Sequence, residues 1–421
     1  MSVRERPLRK RTLGPGRRDR PQAEAAPSSA AASAARPTVV PFAAVSFAYF
    51  AYAGLVATYG PLWFKSLGYS TFAIGVLMSL QSATRLFSPY AWGWIADHTG
   101  RREQLLRIAS GGSLLASIGY FAPVGYAWIA AVTVVLYVCT AGVIPINEAA
   151  LAHRVSIGGS LDVARYGRVR VWGSVGFFGA VTASGFVLQT SGLGGFPILV
   201  CGLLALLLGA CWRLPASTEP AHPPSVVMGA LSVLRQPAVA WFFAGVFLTV
   251  LAHTSLYAFY SLYLASLGYS NGQIGLLWAI GVVVEVIWFY FQGRWQHRLS
   301  MHGWLVVAAL ASALRFALIA AFGAWVAVLV VAQCLHALSF AAQHSACIAV
   351  ITRHFPGRLR GRGQALYTVL GYGASGVIGG VVGGAMSETL GLTSVFWAAS
   401  GVALAAAWCC RRALRRDRAS A

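Results

Sequence analysis

Charged and polar side chains interrupt several long apolar stretches of the sequence, namely Arg85, Asn147, Glu148, Glu285 and Arg315. Charged groups are costly inside a bilayer, and they often mark substrate or proton pathways there. An arginine guanidinium can bind a carboxylate through two parallel hydrogen bonds, and a glutamate can carry a proton. The alternative is a set of ion pairs, such as Glu285 with Arg315, that only fixes the packing of helices.

Three histidines, His253, His336 and His344, lie in the same apolar stretches. Histidine titrates near neutral pH, so each of them could carry a proton. His336 follows Gln333 by one helical turn, which places both side chains on one face of a helix. A hydrogen bond to a neighbouring helix is the structural alternative for each histidine.

The composition indicates which elements must hold these side chains. Hydrophobic residues make up 57% of the 421 positions and charged residues only 10%. Soluble proteins contain about 25% charged residues, which excludes an ordinary globular domain. An α-helix needs about 20 apolar residues to cross a bilayer. The sequence predicts an all-α membrane protein with twelve transmembrane helices, over residues 42–64, 71–95, 105–122, 127–151, 170–190, 196–212, 239–264, 272–292, 304–322, 325–351, 364–385 and 392–410.

One short stretch occurs twice. SLGYSTFAIGVL begins at Ser66, and SLGYSNGQIGLL begins at Ser266, with eight of twelve residues identical. Each copy joins the first and second predicted helices of its own half of the chain. The same register pairs Arg85 with Glu285 at one depth. This pattern predicts two pseudo-symmetric six-helix bundles that rock about a site near the middle of the membrane.

The charge distribution predicts the orientation of the chain. The formal net charge is +21, which by itself would suggest nucleic-acid binding. Apart from Lys65, Arg85 and Arg315, however, every Lys and Arg lies in a terminal tail, in a connection on one side of the predicted helices, or at the start of a helix on that side. The positive-inside rule therefore predicts cytoplasmic termini, and no nucleic-acid partner is expected.

The predicted domains follow from these spans and from two polar regions, an arginine-rich one before the first predicted helix and a proline-containing one between the sixth and the seventh. They are a disordered basic cytoplasmic tail (1–40), an N-terminal six-helix bundle (41–213), a cytoplasmic linker (214–238), a C-terminal six-helix bundle (239–411) and a second basic cytoplasmic tail (412–421).

The segment GWIADHTGRR resembles the loop that joins helices two and three in the major facilitator superfamily, Gly-x-x-x-Asp-Arg-x-Gly-Arg-Arg. His98 stands at one of the Arg positions of that pattern, and the equivalent segment of the second half, QGRWQHR, is degraded. The resemblance implies that this loop forms the cytoplasmic gate. The matching residues are Gly93, Asp97, Gly100, Arg101 and Arg102.

Two further segments are similar to one branch of that superfamily. RYGRVRVWGSVGF and LGYSNGQIGLLWAIGVVVEVIWF resemble the branch that contains 3-phenylpropionate transporters, lactose permease and nucleoside–proton symporters. The likeness covers nearly all of residues 42–410. It implies that Glu148 and Arg170 hold the substrate, and that Glu285, Arg315 and His336 occupy the family's charged positions on helices eight, nine and ten. Ser339 stands where lactose permease carries its essential proton on a Glu, and a Ser cannot release a proton at useful pH.

These patterns predict a secondary active transporter that takes up an aromatic or related carboxylic acid with protons across the bacterial inner membrane. The predicted substrate contacts are Arg85, Asn147, Glu148, Arg170 and Arg315, and the predicted proton carriers are Glu285 and His336. A sugar or nucleoside proton symporter, or an exporter of a small drug-like compound, is the alternative.

Other classes of protein fit the sequence less well. It contains no Gly-x-x-x-x-Gly-Lys-Ser/Thr motif for ATP and no clustered nucleophile or metal-ligand pattern of an enzyme. No cofactor and no metal are expected. The predicted partners are a small-molecule substrate, a proton and the lipid bilayer, and the predicted functional unit is a monomer.

Overall fold

The structure, a computed structural model, describes residues 39–157, 160–215, 230–356 and 359–420. Almost all of the predicted tail 1–40 and most of the predicted linker 214–238 lie outside the described residues. We call residues 39–215 the first half and residues 230–420 the second half.

The described chain is helical and confirms the predicted all-α membrane fold. Its only strands, β1 (Ser156–Ile157) and β2 (Ser160–Leu161), form a two-residue antiparallel ladder between two helices of the first half. The α-helices are α1 (Val40–Ser66), α2 (Thr71–Thr84), α3 (Ser88–Thr99), α4 (Arg102–Ile118), α5 (Tyr126–Thr140), α6 (Val143–Val155), α7 (Val163–Ser191), α8 (Phe196–Trp212), α9 (Ala230–Leu234), α10 (Pro237–Ser266), α11 (Asn271–Phe291), α12 (Met301–Phe322), α13 (Val326–Cys334), α14 (Gln343–His354), α15 (Arg360–Leu366), α16 (Ser375–Leu390) and α17 (Leu392–Ser420). Two π-helical segments, Ala337–Ala342 and Tyr367–Ala374, join α13 to α14 and α15 to α16.

Ten helical spans in the described part of the chain are long and apolar enough to cross a membrane. The two remaining predicted spans correspond to α4, which has 17 residues, and to the pair α2 and α3. That pair is interrupted directly after Thr84, at Arg85. Pro89 explains the interruption, because it has no N–H to donate to the carbonyl of Arg85 in a continuous helix.

The duplicated turn has the same geometry in both halves, as its sequence predicts. Gly68 and Gly268 adopt left-handed φ angles of 85° and 88°, which a side chain would disfavour. Ser70 and Ser270 then cap the next helix, each accepting a hydrogen bond from the backbone N–H three residues on, at 3.2 and 3.3 Å. We call the end of the molecule that carries both copies the turn end.

The register that the two copies set extends along the chain. The spans that contain α5 and α13 begin at Tyr126 and Val326, which are equivalent positions in that register. The spans that contain α7 and α16 end at Ser191 and Leu390, which are one position out of it. The two halves therefore repeat one succession of helices with a single-position slip near the end.

Glycines bring the two halves together near the turn end. Gly75 of α2 packs against Gly384 of α16, so that a Cβ on Gly75 would lie 2.9 Å from the Cα of Gly384. On the other side of the molecule, a Cβ on Gly185 of α7 would lie 2.8 Å from the carbonyl oxygen of Asn271 in α11. Small residues allow such close helix contacts in membranes.

The last helix is longer than the sequence predicts. The predicted span 392–410 ends where the arginines begin, yet α17 continues to Ser420. Arginine is a good helix former, so the charged segment extends the helix instead of ending it.

Candidate transport site

A cavity of about 440 Å³ lies between the two halves. Helices α1, α2, α6 and α7 line it from the first half. The second half contributes α10 to α13, both π-helical segments and α16. Five of the predicted site residues meet there, namely Arg85, Arg170, Glu285, Arg315 and His336. Aromatic rings form part of its wall, contributed by Tyr49, Phe50, Tyr257, Trp278, Phe340 and Tyr372.

Arg315 is fully buried in the cavity wall and is held by three side chains. Its Nη2 donates to Gln333 Oε1 at 2.7 Å, and its Nη1 lies 2.9 Å from His336 Nδ1 and 3.4 Å from Ser339 Oγ. A guanidinium only donates hydrogen bonds. His336 Nδ1 must therefore accept, and the ring proton of a neutral His336 lies on Nε2.

Glu285 faces that second nitrogen, with its Oε2 3.6 Å from His336 Nε2. Glu285, His336 and Arg315 thus form a row of three groups. The imidazole of His336 lies between the other two side chains, in place of the direct ion pair between Glu285 and Arg315 that the sequence left as an alternative. The π-helical segment that follows His336 turns Phe340 onto the imidazole, with the ring centroids 4.9 Å apart. Such π-helical insertions often occur at functional sites.

Arg170 and Glu148, which the resemblance assigns to substrate binding, form an ion pair with each other, with Arg170 Nε 3.1 Å from Glu148 Oε1. Both side chains are only partly buried. The Arg170 guanidinium also lies over the ring of Phe50, 4.7 Å from its centroid. The pair therefore contributes little net charge to the cavity.

Arg85 has no carboxylate partner among the described residues. Its guanidinium carbon lies 6.0 Å from the ring centroid of Tyr372, in the second half. Because α2 ends at Thr84, Arg85 projects from the break between two helix segments. With Glu148 paired to Arg170, the lining is left with one carboxylate, Glu285, and two guanidinium groups, those of Arg85 and Arg315, so the cavity has an excess of positive charge.

Asn147 is a correction to the predicted substrate contacts. Its side chain is buried, and its Nδ2 donates to the carbonyl of Phe42 at 3.4 Å and to Ser46 Oγ at 3.2 Å. Both acceptors belong to α1. Asn147 thus joins α6 to α1 and does not line the cavity, because its side chain points toward α1 whereas that of its neighbour Glu148 reaches Arg170.

Two further histidines lie outside the cavity lining. His253 Nδ1 is 2.8 Å from the carbonyl oxygen of Thr249, one turn earlier in α10. His344 Nδ1 is 3.4 Å from the hydroxyl of Tyr367. The contact of His344 is that of the structural alternative, whereas His253 contacts a carbonyl of its own helix.

The predicted gate loop lies at the end of the molecule opposite the turns. Asp97 Oδ1 is 3.6 Å from Arg102 Nη2, and Gly100 provides a left-handed φ of 63° between α3 and α4, directly before Arg101. A Cβ on Gly93 would meet no atom within 4 Å. The ion pair of Asp97 with Arg102 thus lies within the loop itself. In this conformation there is room for a methyl side chain at Gly93.

At the turn end, two side chains that the sequence analysis missed join the halves. Glu388 Oε2 of α16 accepts hydrogen bonds from Thr71 Oγ1 at 2.9 Å and from the N–H of Phe72 at 3.2 Å. Gln189 Oε1 of α7 accepts a bond from the N–H of Gly272 at 3.2 Å. Glu388 and Gln189 are equivalent in the repeat, with the same single-position slip, and each caps the helix that follows a duplicated turn. The sequence signal for these contacts is the repeat register, which pairs Gln189 of α7 with Glu388 of α16 once the slip is included.

Comparison with known proteins identifies the family. The family model described as the MFS_1 like family matches residues 40–398, which is most of the chain. The chain belongs to this family. It is 29% identical over 364 residues to the probable 3-phenylpropionic acid transporter of Escherichia coli (strain K12), with 86% of this chain and 94% of the relative covered.

A second relative is similar in sequence, and a solved structure is similar in fold. The maltose permease of Geobacillus stearothermophilus is 29% identical over 377 residues, covering 86% of this chain and 91% of the permease. The crystal structure of the nucleoside transporter NupG superposes with a TM-score of 0.77 at 18% identity, over 89% of this chain and 98% of NupG. This MFS_1-like protein is therefore a multi-pass membrane transporter of the major facilitator type, as its sequence predicts.

Proposed function

We propose that the protein imports an aromatic or related carboxylic acid together with a proton, acting as a monomer in the bacterial inner membrane. The observation that carries this proposal is Arg85, a guanidinium without a carboxylate partner among the described residues, in a cavity with excess positive charge. The name of the 29% identical relative, a probable 3-phenylpropionic acid transporter, supports the same class of substrate.

Among the three arginines of the lining, Arg85 is the one proposed to bind an anionic substrate. Arg170 is already paired with Glu148, and the Arg315 guanidinium is engaged by Gln333 and His336. A substrate carboxylate would take two parallel hydrogen bonds from Arg85. Its aromatic ring would then lie against aromatic residues of the second half, of which Tyr257, Trp278 and Tyr372 are the nearest candidates in the lining.

Glu285 is the proposed proton carrier. Protonation of His336 would place a second N–H against the Arg315 guanidinium, where the ring nitrogen now accepts a hydrogen bond. Ser339 cannot replace the acid that lactose permease uses at this position. Glu285 therefore remains as the carboxyl group in the lining that can take a proton, with the Nε2–H of His336 beside its ionised form.

Charge compensation would couple the two events. An anionic substrate neutralises Arg85, and a proton neutralises Glu285, so that the loaded cavity carries the same net charge as the empty one. Rearrangement of the halves would then break the contacts of Glu388 and Gln189 at the turn end. If the termini are cytoplasmic, as the positive-inside rule predicts, this conformation is closed to the outside.

The test is binding and uptake of 3-phenylpropionate by purified protein in proteoliposomes. We expect Arg85→Gln to weaken binding of the acid at least about tenfold, because a charged hydrogen-bonded pair is lost. The uncharged amide of the same acid should bind weakly to the wild type and be insensitive to the substitution.

Arg107→Gln is the matched control. Arg107 lies near the start of α4, and its guanidinium hydrogen-bonds to the carbonyls of Cys211 and Leu214, outside the cavity. It should leave the dissociation constant of the acid unchanged. Equal affinity of wild type and Arg85→Gln for 3-phenylpropionate would remove the carboxylate assignment.

Symport of a sugar or nucleoside is the second candidate. The observation that favours it is the partly exposed Glu148–Arg170 pair, together with hydroxyl and amide groups from Gln81, Ser82 and Thr254 in the lining, which suit a polyhydroxylated ligand. Tighter binding of maltose or of a nucleoside than of 3-phenylpropionate would establish this alternative, and Glu148→Gln should then abolish it.

A further inference from the structure

A second cluster of ionisable side chains lies at the gate-loop end of the second half, away from the cavity. It joins His302, the second residue of α12, His354, the last residue of α14, and Asp417, near the end of α17. One ligand atom from each residue lies within 4.8 Å of the other two. The proposed transport mechanism uses none of these groups.

Both imidazoles face the carboxylate at separations close to those of neighbouring ligands of one ion. His302 Nδ1 is 3.4 Å from Asp417 Oδ2, and His354 Nε2 is 3.6 Å from Asp417 Oδ1, so each imidazole faces a different oxygen. These separations are longer than ordinary hydrogen bonds of about 2.7–3.2 Å. A tetrahedral ion with bonds of about 2.1 Å places neighbouring ligand atoms about 3.4 Å apart.

The imidazoles are poorly satisfied by the described residues. His354 Nε2 is buried and has no hydrogen-bond partner there, although it faces the carboxylate. The His302 side chain is only 3% exposed and rests against the ring of Phe242, which holds its orientation. A buried imidazole nitrogen without a partner is costly, and a metal ion beside Asp417 would satisfy Nε2 of His354.

We propose that His302, His354 and Asp417 form a binding site for one divalent transition-metal ion of the Zn²⁺ type. Two imidazoles and one carboxylate are an established ligand set for Zn²⁺, with a fourth position left for water. Such an ion would tie the extension of α17 to the ends of α12 and α14.

Arg353 is the competitor for this site. Its Nη1 lies 3.0 Å from Asp417 Oδ2, and its side chain is 60% exposed. A dication and a guanidinium on one carboxylate repel each other, so binding of the ion releases Arg353 to water. Removal of this arginine should therefore strengthen binding of the metal, whereas removal of a ligand should abolish it.

The experiment measures binding of Zn²⁺ by calorimetry, and of Co²⁺ by its visible absorption, to the full chain purified in detergent with its affinity tag removed. We expect one ion per chain in the wild type. His354→Gln and Asp417→Asn should each weaken binding at least about tenfold, and Arg353→Gln should tighten it. His297→Gln, which removes a histidine outside the cluster, should change nothing.

Asp417→Asn guards against misfolding, because it keeps the size of the side chain and removes only its charge. The ligand variants should unfold at the wild-type temperature without metal and lose the stabilisation that Zn²⁺ gives the wild type. Absence of binding in the wild type, unchanged binding by the ligand variants, or weaker binding by Arg353→Gln would each overturn the site. These readouts do not involve transport, so they are independent of the proposed function.

Discussion

Arg315 is buried without a carboxylate partner among the described residues, and it keeps its position through Gln333, His336 and Ser339. Because a guanidinium cannot accept a hydrogen bond, this contact dictates the tautomer of His336 and directs its remaining N–H toward Glu285. Ser339 cannot carry a proton here, so the proposed function assigns that role to Glu285 and leaves His336 neutral between Glu285 and Arg315.

Glu285→Gln should abolish the response of uptake to a pH gradient, because the amide cannot exchange a proton. Exchange of internal for external substrate should persist, since it does not require net proton movement. Both are measured in proteoliposomes, with and without an imposed gradient.

Glu148→Gln is the matched carboxylate control for this prediction. It breaks the pair with Arg170 but leaves Glu285 in place. It should alter substrate affinity and keep the response to the gradient. A gradient-driven accumulation that survives in Glu285→Gln would show that another group carries the proton.

At the scale of helices, the duplicated turns serve as docking points for the opposite half. The turn after α1 exposes the first N–H groups of α2, and Glu388 of α16 binds there. The turn after α10 exposes those of α11, and Gln189 of α7 binds there. Free N–H groups at a helix start attract acceptors and negative charge, so each contact uses a property that the turn creates.

Glu388→Ala combined with Gln189→Ala should therefore shift the molecule toward opening of the turn end. We would place spin labels at Ser66→Cys and Ser266→Cys, equivalent positions in the two halves, after replacing the seven native cysteines. The distance distribution between the labels should gain a longer component.

Gln273→Ala is the control for the double variant. Its side chain accepts a hydrogen bond from the N–H of Ser270 at 2.9 Å, within its own half. It should leave the distance distribution unchanged. If the double variant gave the wild-type distribution as well, the two contacts would not be what keeps this end closed.

At the scale of the whole molecule, the two halves enclose a cavity whose walls come from helices far apart in sequence. The turn end and the gate-loop end must lie on opposite sides of the bilayer, because α1 crosses the molecule between them. The concentration of arginines away from the turn end predicts which side faces the cytoplasm.

A membrane-impermeant maleimide tests this orientation in intact cells. Lys65→Cys, at the turn end, should be labelled from outside. Arg298→Cys, in the connection before α12, should be labelled only after the membrane is opened. Both variants replace an exposed basic residue in the cysteine-free background, so their reactivity can be compared directly. Labelling of Arg298→Cys from outside would reverse the assignment.

The sequence by itself determined the membrane fold, the repeat and the charged residues that line the cavity. Hydropathy and helix length are local properties, so the spans could be read in order, and the two copies of SLGYS established a register that the helix bounds follow. Resemblance to a family whose motif stands in this chain also singled out Glu148 and Arg170, although it did not predict that they pair with each other.

Only the tertiary structure decided which side chains meet across helices. It separated Asn147, which bonds to α1, from its neighbour Glu148, which reaches Arg170. It placed His336 between Glu285 and Arg315, and it joined Asp417 to His302 and His354. The physical reason is that a helix fixes the direction of a side chain relative to its own axis, whereas the partner depends on how two helices pack. That packing is set by contacts such as those of Gly75 and Gly185, spread over the whole chain.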